Sequence, residues 1–269
     1  MLSCDVLLRC SVAVFSCSLL LQCSLALFYR LLLHLSPHLK HFKACVVAEA
    51  SASRRWQTPL RSARYSHLMT RPLIALDADG VLLDFNRAYG VAWQRAFGAH
   101  PNERDPQAYW PMDRWHVERL DDAGREHFRA HFDEPFWSSL HPEPGALDAC
   151  ARLVAAGFDL VCVSALDLEF EAARLRNLQD LGFPIQRVIA TGNAEGPRSP
   201  KADAIARLRP VAFVDDYLPY FRGLPAEVHT ALVLRAPNGS PNNGDDLHMA
   251  KSTHQDLAAF ATAWLTTNA

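Results

Sequence analysis

After residue 45 the chain has only two cysteines, Cys150 and Cys162, and neither belongs to a CxxC or Cys/His spacing. A cysteine-based metal site is thereby excluded from that part. Two thiols set in apolar runs read as buried and reduced, which fits a reducing, cytoplasmic compartment. Other signatures are missing too. There is no GxxxxGK[ST] loop, GxGxxG turn, HExxH pair or GxSxG elbow, so nucleotide-driven motors, dehydrogenases, zinc proteases and serine hydrolases lose support. No internal repeat or low-complexity tract is evident.

Excess positive charge is also lacking where the fold is expected. Residues 69–269 carry 19 Lys/Arg against 27 Asp/Glu, a formal charge of −8. An acidic body repels polyanions, so a nucleic-acid polymer is not an expected partner. A small phosphorylated substrate remains compatible if a cation screens the site.

The first 68 residues differ in character, with five of the seven cysteines and eight Lys/Arg against Asp5 and Glu49. Twenty uncharged residues separate Arg9 from Arg30, about the length of a bilayer span. Two readings stand. Residues 1–68 are an upstream extension outside the fold, arising from a misplaced start, because Met69 directly precedes Thr-Arg-Pro and the first strand. Alternatively, residues 10–35 anchor the chain in a membrane, and the seven Lys/Arg of 31–71 hold the downstream domain on the cytoplasmic side. A cleaved signal peptide is disfavoured, since Arg30 and further leucines stand where small residues belong. His34, His38 and His41 have helical spacing, but Pro37 lies among them and argues against a metal site.

From residue 69 onward short apolar runs alternate with helical patterns. Strands are expected at Leu73–Leu76, Leu160–Val163, Val188–Ala190, Val211–Val214 and Thr230–Leu234. Leu147, Cys150, Leu153 and Val154 recur at helical spacing before Gly157, and a second helix is expected over Leu168–Leu181, closed by Gly182 and Pro184. Such alternation predicts an α/β fold built on a doubly wound parallel sheet. Residues 86–143 break the pattern with aromatic, His and charged residues, helices predicted at 87–97 and 120–132, and no strand. A helical insertion at that point overhangs the carboxyl edge of the sheet and makes a natural cap. Its aromatics alternatively form a satellite core. Pro237–Asp246 reads as a polar loop.

The most informative segment is Leu73-Ile-Ala-Leu-Asp77-Ala-Asp79-Gly80-Val-Leu-Leu-Asp84-Phe85. A buried strand here delivers two carboxylates to its carboxyl end, where open parallel sheets bind ligands. Like charges so close call for a metal, a shared proton or a solvated turn. Further strand ends offer Ser164 after Val161-Cys-Val163 and Asp215-Asp216 after Val211-Ala-Phe-Val214, while Ser199-Pro-Lys201 opens a helix. Parallel strands present all these groups on one edge. Taken singly, Ser164 also reads as a turn hydroxyl or helix cap, Lys201 as a solvated residue of a first turn, and Asp216 as a cap for the segment from Tyr217.

In this order the four sets resemble the motifs of the haloacid dehalogenase (HAD) superfamily, phosphatase type, and the resemblance covers essentially all of 69–269. It implies that Asp77 attacks phosphorus and forms an aspartyl-phosphate, while Asp79 protonates the leaving oxygen and later deprotonates the hydrolytic water. It also implies Mg²⁺ held by Asp77, the Asp79 backbone carbonyl and Asp215, with Asp216 close to the ion. Ser164 and Lys201 would bind the phosphoryl oxygens, Arg198 competing for the same anion, with Asp84 and Asp167 as lesser neighbours. Dehalogenation is disfavoured, because displacing halide needs no acid at the position of Asp79.

Asp77-Ala-Asp-Gly-Val-Leu-Leu-Asp-Phe85 and Phe136-Trp-Ser-Ser-Leu-His-Pro-Glu-Pro-Gly145 are similar to the 5'(3')-deoxyribonucleotidase branch, making a nucleoside 5'-monophosphate one candidate substrate. Ser164-Ala-Leu-Asp167 departs from the Thr-Ser expected there. The implied activity is Mg²⁺-dependent hydrolysis of a small phosphorylated metabolite. The alternatives are a non-catalytic relative that binds a phospho-ligand or partner, and phosphoryl transfer to an acceptor other than water. Arg87, Trp93, Trp110, Arg114 and Trp115 are the cap residues singled out for substrate contact. No motif speaks to oligomeric state.

Overall fold

Leu73–Leu76, strand β1, alternates its side chains between two cores, as a strand covered on both faces must. Ile74 and Leu76 enter one cluster with Cys162 and Val214, whereas Ala75 joins Val161, Val163 and Phe213 in the other. The computed structural model describes residues 71–194 and 196–268, which lie in a compact unit spanning Leu68–Ala269. The apolar stretch 10–35 and the three histidines near it fall outside the described residues.

The sheet is parallel throughout, in the order β3-β2-β1-β4-β5-β6. Its further strands are β2 (Asp159–Ser164), β3 (Val188–Ala190), β4 (Ala212–Asp215), β5 (His229–Val233) and β6 (Ser252–His254). After β1 the chain builds outward on one side through β2 and β3, then returns to add β4 on the other. The switch point of this α/β sheet therefore lies between β1 and β4, the place where such folds bind ligands. The five expected strands are present, β1 and β3 with the expected bounds and the other three displaced by one residue at each end. The sixth was not foreseen, because Ser252-Thr-His254 is a three-residue, part-exposed edge with no apolar run.

Between β1 and β2 lie helices α1 (Phe85–Phe97), α2 (Pro111–Arg114), α3 (Asp122–Arg129) and α4 (Glu134–Trp137), then α5 (Ala146–Ala155), which leads into the second strand. Asp84 caps α1 by accepting from the Arg87 N–H at 2.9 Å, and Gly98 ends it in the left-handed region. The insertion has no separate core. Tyr89, Trp93, Phe128, Phe132 and Phe136 pack ring against ring, with centroids 4.7–6.5 Å apart, and this cluster is continuous with the sheet core. Beyond β2, a short 3-10 turn (Leu168–Phe170) precedes α6 (Glu171–Asp180), and α7 (Ala202–Leu208) precedes β4. Helix α8 (Leu257–Asn268) closes the chain, with the Thr262 hydroxyl bound by Arg152 of α5 at 3.0 Å. Cys150 and Cys162 are buried free thiols. None of the described helices is long and apolar enough to cross a membrane.

Candidate active site

The register of β1 on β4 pairs Leu76 with Val214, so the next residues, Asp77 and Asp215, stand side by side at the carboxyl ends of their strands. The Asp77 N–H still donates to the Val214 carbonyl at 2.9 Å, which ties the start of the acidic loop to the neighbouring strand. Asp77, Asp215 and Asp216 are all buried, and each places a carboxylate oxygen within 4.8 Å of the others. Asp215 also caps the turn after β4, accepting from the Tyr217 N–H at 2.9 Å. The cap weighed as the alternative role of Asp216 is thus supplied by its neighbour.

Lys201, fully buried at the start of α7, bridges the two central acids, its Nζ 2.7 Å from Asp77 Oδ1 and 2.6 Å from Asp215 Oδ2. The faces of Tyr220 and Phe213 lie 4.5 and 5.6 Å from the same ammonium. Burial by itself would push Lys201 down, yet Asp215 and Asp77 outweigh it and hold its pKa above the ordinary lysine value. Ser164, at the end of β2, is buried and lines the same cavity, with its carbonyl fixed by the Thr191 N–H at 3.0 Å.

Three groups at the site were not anticipated. Arg174 of α6 is wholly buried, and its Nη2 lies 2.8 and 3.0 Å from the two Asp79 oxygens, with the Trp137 ring 5.0 Å from its guanidinium carbon. Its Nε and Nη1 have no hydrogen-bond partner among the described residues, an arrangement that costs about 1–3 kcal/mol per buried group unless a ligand or water meets it. Arg235, just past β5, puts Nε 2.5 Å from Asp216 Oδ2 and lays its guanidinium 4.6 Å from the Tyr109 ring. Asn242, in the loop read as polar, donates to the Asp216 carbonyl at 2.6 Å and accepts from the Leu218 N–H at 2.8 Å. The carboxyl-edge argument, extended to the fifth strand, points at Arg235. Arg174 was signalled only by sharing a buried helix face with Ala173, Asn177 and Leu178.

Gly80 makes this close approach possible. Its φ is +81°, and a Cβ there would sit 2.4 Å from both Arg235 Nε and Asp216 Oδ2. Only glycine fits both the backbone conformation and the space.

Counted together, Asp77, Asp79, Asp215 and Asp216 face Lys201, Arg174 and Arg235, which leaves one negative charge over. Burial pushes the pKa values of Asp79, Asp215 and Asp216 up, with Arg174, Lys201 and Arg235 respectively opposing it. Three clustered hard oxygen donors whose charge is incompletely balanced fit a small divalent cation such as Mg²⁺. Asp79 turns its side chain toward Arg174 and stays outside the acid triad.

A cavity of about 660 Å³ opens over these residues, lined on its floor by Asp77, Asp79, Ser164 and Asp216. Of the five cap residues singled out for contact, Trp110 lines it. The other four lie elsewhere. Trp93 is packed among Tyr89, Phe97 and Phe128; Trp115 donates its Nε1–H to the Asn86 carbonyl at 2.8 Å; Arg114 pairs with Glu103 at 2.8 Å; Arg87 sits in the first turn of α1. Aromatic walls come instead from Phe85, Tyr109, Trp137, Tyr217 and Tyr220.

The fold is that of HAD-like hydrolases. A HAD family hydrolase from Deinococcus radiodurans R1, solved with bound phosphate and sodium, matches with a TM-score of 0.50 at 16% identity, over 74% of this chain and 97% of that one. Among curated proteins, a "Putative 5'(3')-deoxyribonucleotidase" of Bordetella bronchiseptica is 39% identical over 103 residues, and its Bordetella pertussis counterpart is likewise 39% identical over 103. The match takes in 37% of this chain, and the chain spans about half, 52%, of the length of those relatives. No family model matches.

Proposed function

We propose that this protein is a Mg²⁺-dependent phosphohydrolase that removes phosphate from a small phosphorylated metabolite through an aspartyl-phosphate. The observation that carries the reading is the buried triad Asp77, Asp215 and Asp216 with Lys201 in contact with two of its members. The bound phosphate of the Deinococcus hydrolase supports the same chemistry.

Asp77 attacks the phosphorus in line, and the phosphorus–oxygen bond to the leaving group breaks as the acyl phosphate forms. Lys201 holds the Asp77 carboxylate in place for that attack, and Ser164 donates to a phosphoryl oxygen. Asp79 gives its proton to the departing oxygen. Burial favours the protonated form that this donation needs, while Arg174 stabilises the carboxylate it leaves, so both forms are accessible to one side chain. Asp79 then takes a proton from water, which attacks the same phosphorus and releases Asp77. Mg²⁺ would be held by Asp77, Asp215 and Asp216, with the Asp79 backbone carbonyl as a further ligand, and would supply neutralisation of charge on the transferring group.

The aromatic walls and the likeness to the Bordetella proteins favour nucleoside 5'-monophosphates as a first substrate class. The test is phosphate release from a panel of phosphomonoesters by wild type and by Asp77→Asn, with and without Mg²⁺. Metal-dependent release that the variant lowers by at least about a thousandfold is the expected result. Equal release by the two proteins, or none from any ester, would sink the proposal.

A further inference from the structure

The cavity is larger than a phosphate needs, and its outer wall carries charge that the hydrolytic chemistry leaves unused. Arg198 and Arg222 both line it, although the acids on the floor, Asp77, Asp79 and Asp216, already have Lys201, Arg174 and Arg235 as partners. The two arginines stand on segments tied together, the Ser199 N–H donating to the Arg222 carbonyl at 3.0 Å. Gly223 shapes the spot. Its φ is +74°, and a Cβ would lie 2.8 Å from Arg198 Cγ, so the arginine stem rests against a residue that has no side chain.

Each guanidinium has an acid partner, Asp203 at 2.6 Å from Arg198 and Asp246 at 2.8 Å from Arg222, but neither acid is among the cavity-lining residues. These pairs are open to water, with side chains 42–72% exposed. Exposed ion pairs hold only weakly, so exchanging such a partner for an incoming anion costs little. A planar guanidinium is well matched to carboxylate or phosphate oxygens. In the proposed hydrolysis the scissile phosphate is met by Asp77, which attacks it, and by Ser164, which donates to it.

We infer that Arg198 and Arg222 select phosphomonoesters bearing a second anionic group, a carboxylate or another phosphate, placed away from the phosphate that is cleaved. The inference builds on the phosphohydrolase reading of the same cavity and adds what the rim recognises. It also changes the role of Arg198, expected from sequence to compete for the reacting phosphate.

Matched pairs test it: adenosine 5'-monophosphate against adenosine 3',5'-bisphosphate, glucose 6-phosphate against glucose 1,6-bisphosphate, and phenyl phosphate against carboxyphenyl phosphate. Two quantities are read on the full chain, kcat/KM with Mg²⁺ and, on the Asp77→Asn background, Kd by calorimetry. At least one doubly anionic member is expected to be favoured about tenfold over its partner, and the Arg198→Gln/Arg222→Gln double variant to erase that ratio. A ratio that survives in the double variant, or no preference in any pair, overturns the inference. Should wild type release phosphate from nothing, the hydrolytic reading falls, and the Kd ratios still decide whether the rim selects a second anion.

Discussion

Replacing Lys201 by methionine removes a cation that touches both Asp77 and Asp215, at 2.7 and 2.6 Å, and puts an apolar chain of similar length in a fully buried slot. Removing one partner of a buried ion pair costs about 3–5 kcal/mol, because the carboxylates left behind remain desolvated. For a domain of this size each kcal/mol lowers Tm by about 2–4 °C, so the metal-free variant should melt roughly 6–20 °C below wild type. Three acids would then face Arg235 alone near the triad, and a divalent cation gains most where negative charge is least balanced. Mg²⁺ should accordingly raise the Tm of the variant more than that of wild type. Lowering the pH should also narrow the gap, since Asp215, already pushed up by burial, would take a proton once its lysine is gone. The assay is thermal unfolding of both proteins at neutral and acidic pH, with saturating Mg²⁺ and with a chelator. A variant that melts within about 2 °C of wild type without metal, or equal gains from Mg²⁺ in the two proteins, would refute the electrostatic account of the cluster.

Two further outcomes follow from the same geometry. Gly80→Ala forces a β-carbon into the Arg235–Asp216 contact and a left-handed backbone onto alanine, which alone costs about 1–2 kcal/mol; Mg²⁺ affinity by calorimetry should fall with stability, and unchanged metal binding would show that Asp216 is not held there for the ion. Glu143 has its pKa pushed up to about 7 by burial and then by Asp84. It is protonated in both folded and unfolded chains below pH ~4.5, and its penalty grows as pH rises from there to about 7, reaching a ceiling of about 3 kcal/mol. Glu143→Gln should therefore raise Tm at pH 8 and have little effect near pH 4, and a gain independent of pH would contradict this.

The acidic motif was legible because its information is local. An apolar run that stops at two carboxylates and a glycine says that a strand ends there, and the alternation of runs and helical stretches says that such strands lie parallel. Ser164, Lys201, Asp215 and Asp216 could be proposed from chain order at strand ends. Arg174 could not. A charged residue within Glu171–Asp180 reads as a solvated face, and only the placement of α6 behind Asp79 and Trp137 makes burial tolerable. The cap was recognised as an insertion, yet most of its tryptophans and arginines were assigned by type. Trp93 and Trp115 serve packing, whereas Trp137 and Tyr109, which line the cavity, were distinguishable from them only in three dimensions.

What the amino-acid order determined by itself is a doubly wound parallel sheet, with five of its six strands, and the set of acids delivered to its carboxyl edge, since apolar runs and strand ends are written in neighbouring residues; the strand order that puts the switch point between β1 and β4 is not. What tertiary structure decided is the pairing of those acids with Lys201, Arg174 and Arg235, and the rim formed by Arg198 and Arg222. These partners lie 5 to 124 residues from the acids and groups they meet. Electrostatic contact depends on distance in space, and no local pattern encodes a distance that the packing of separate elements sets.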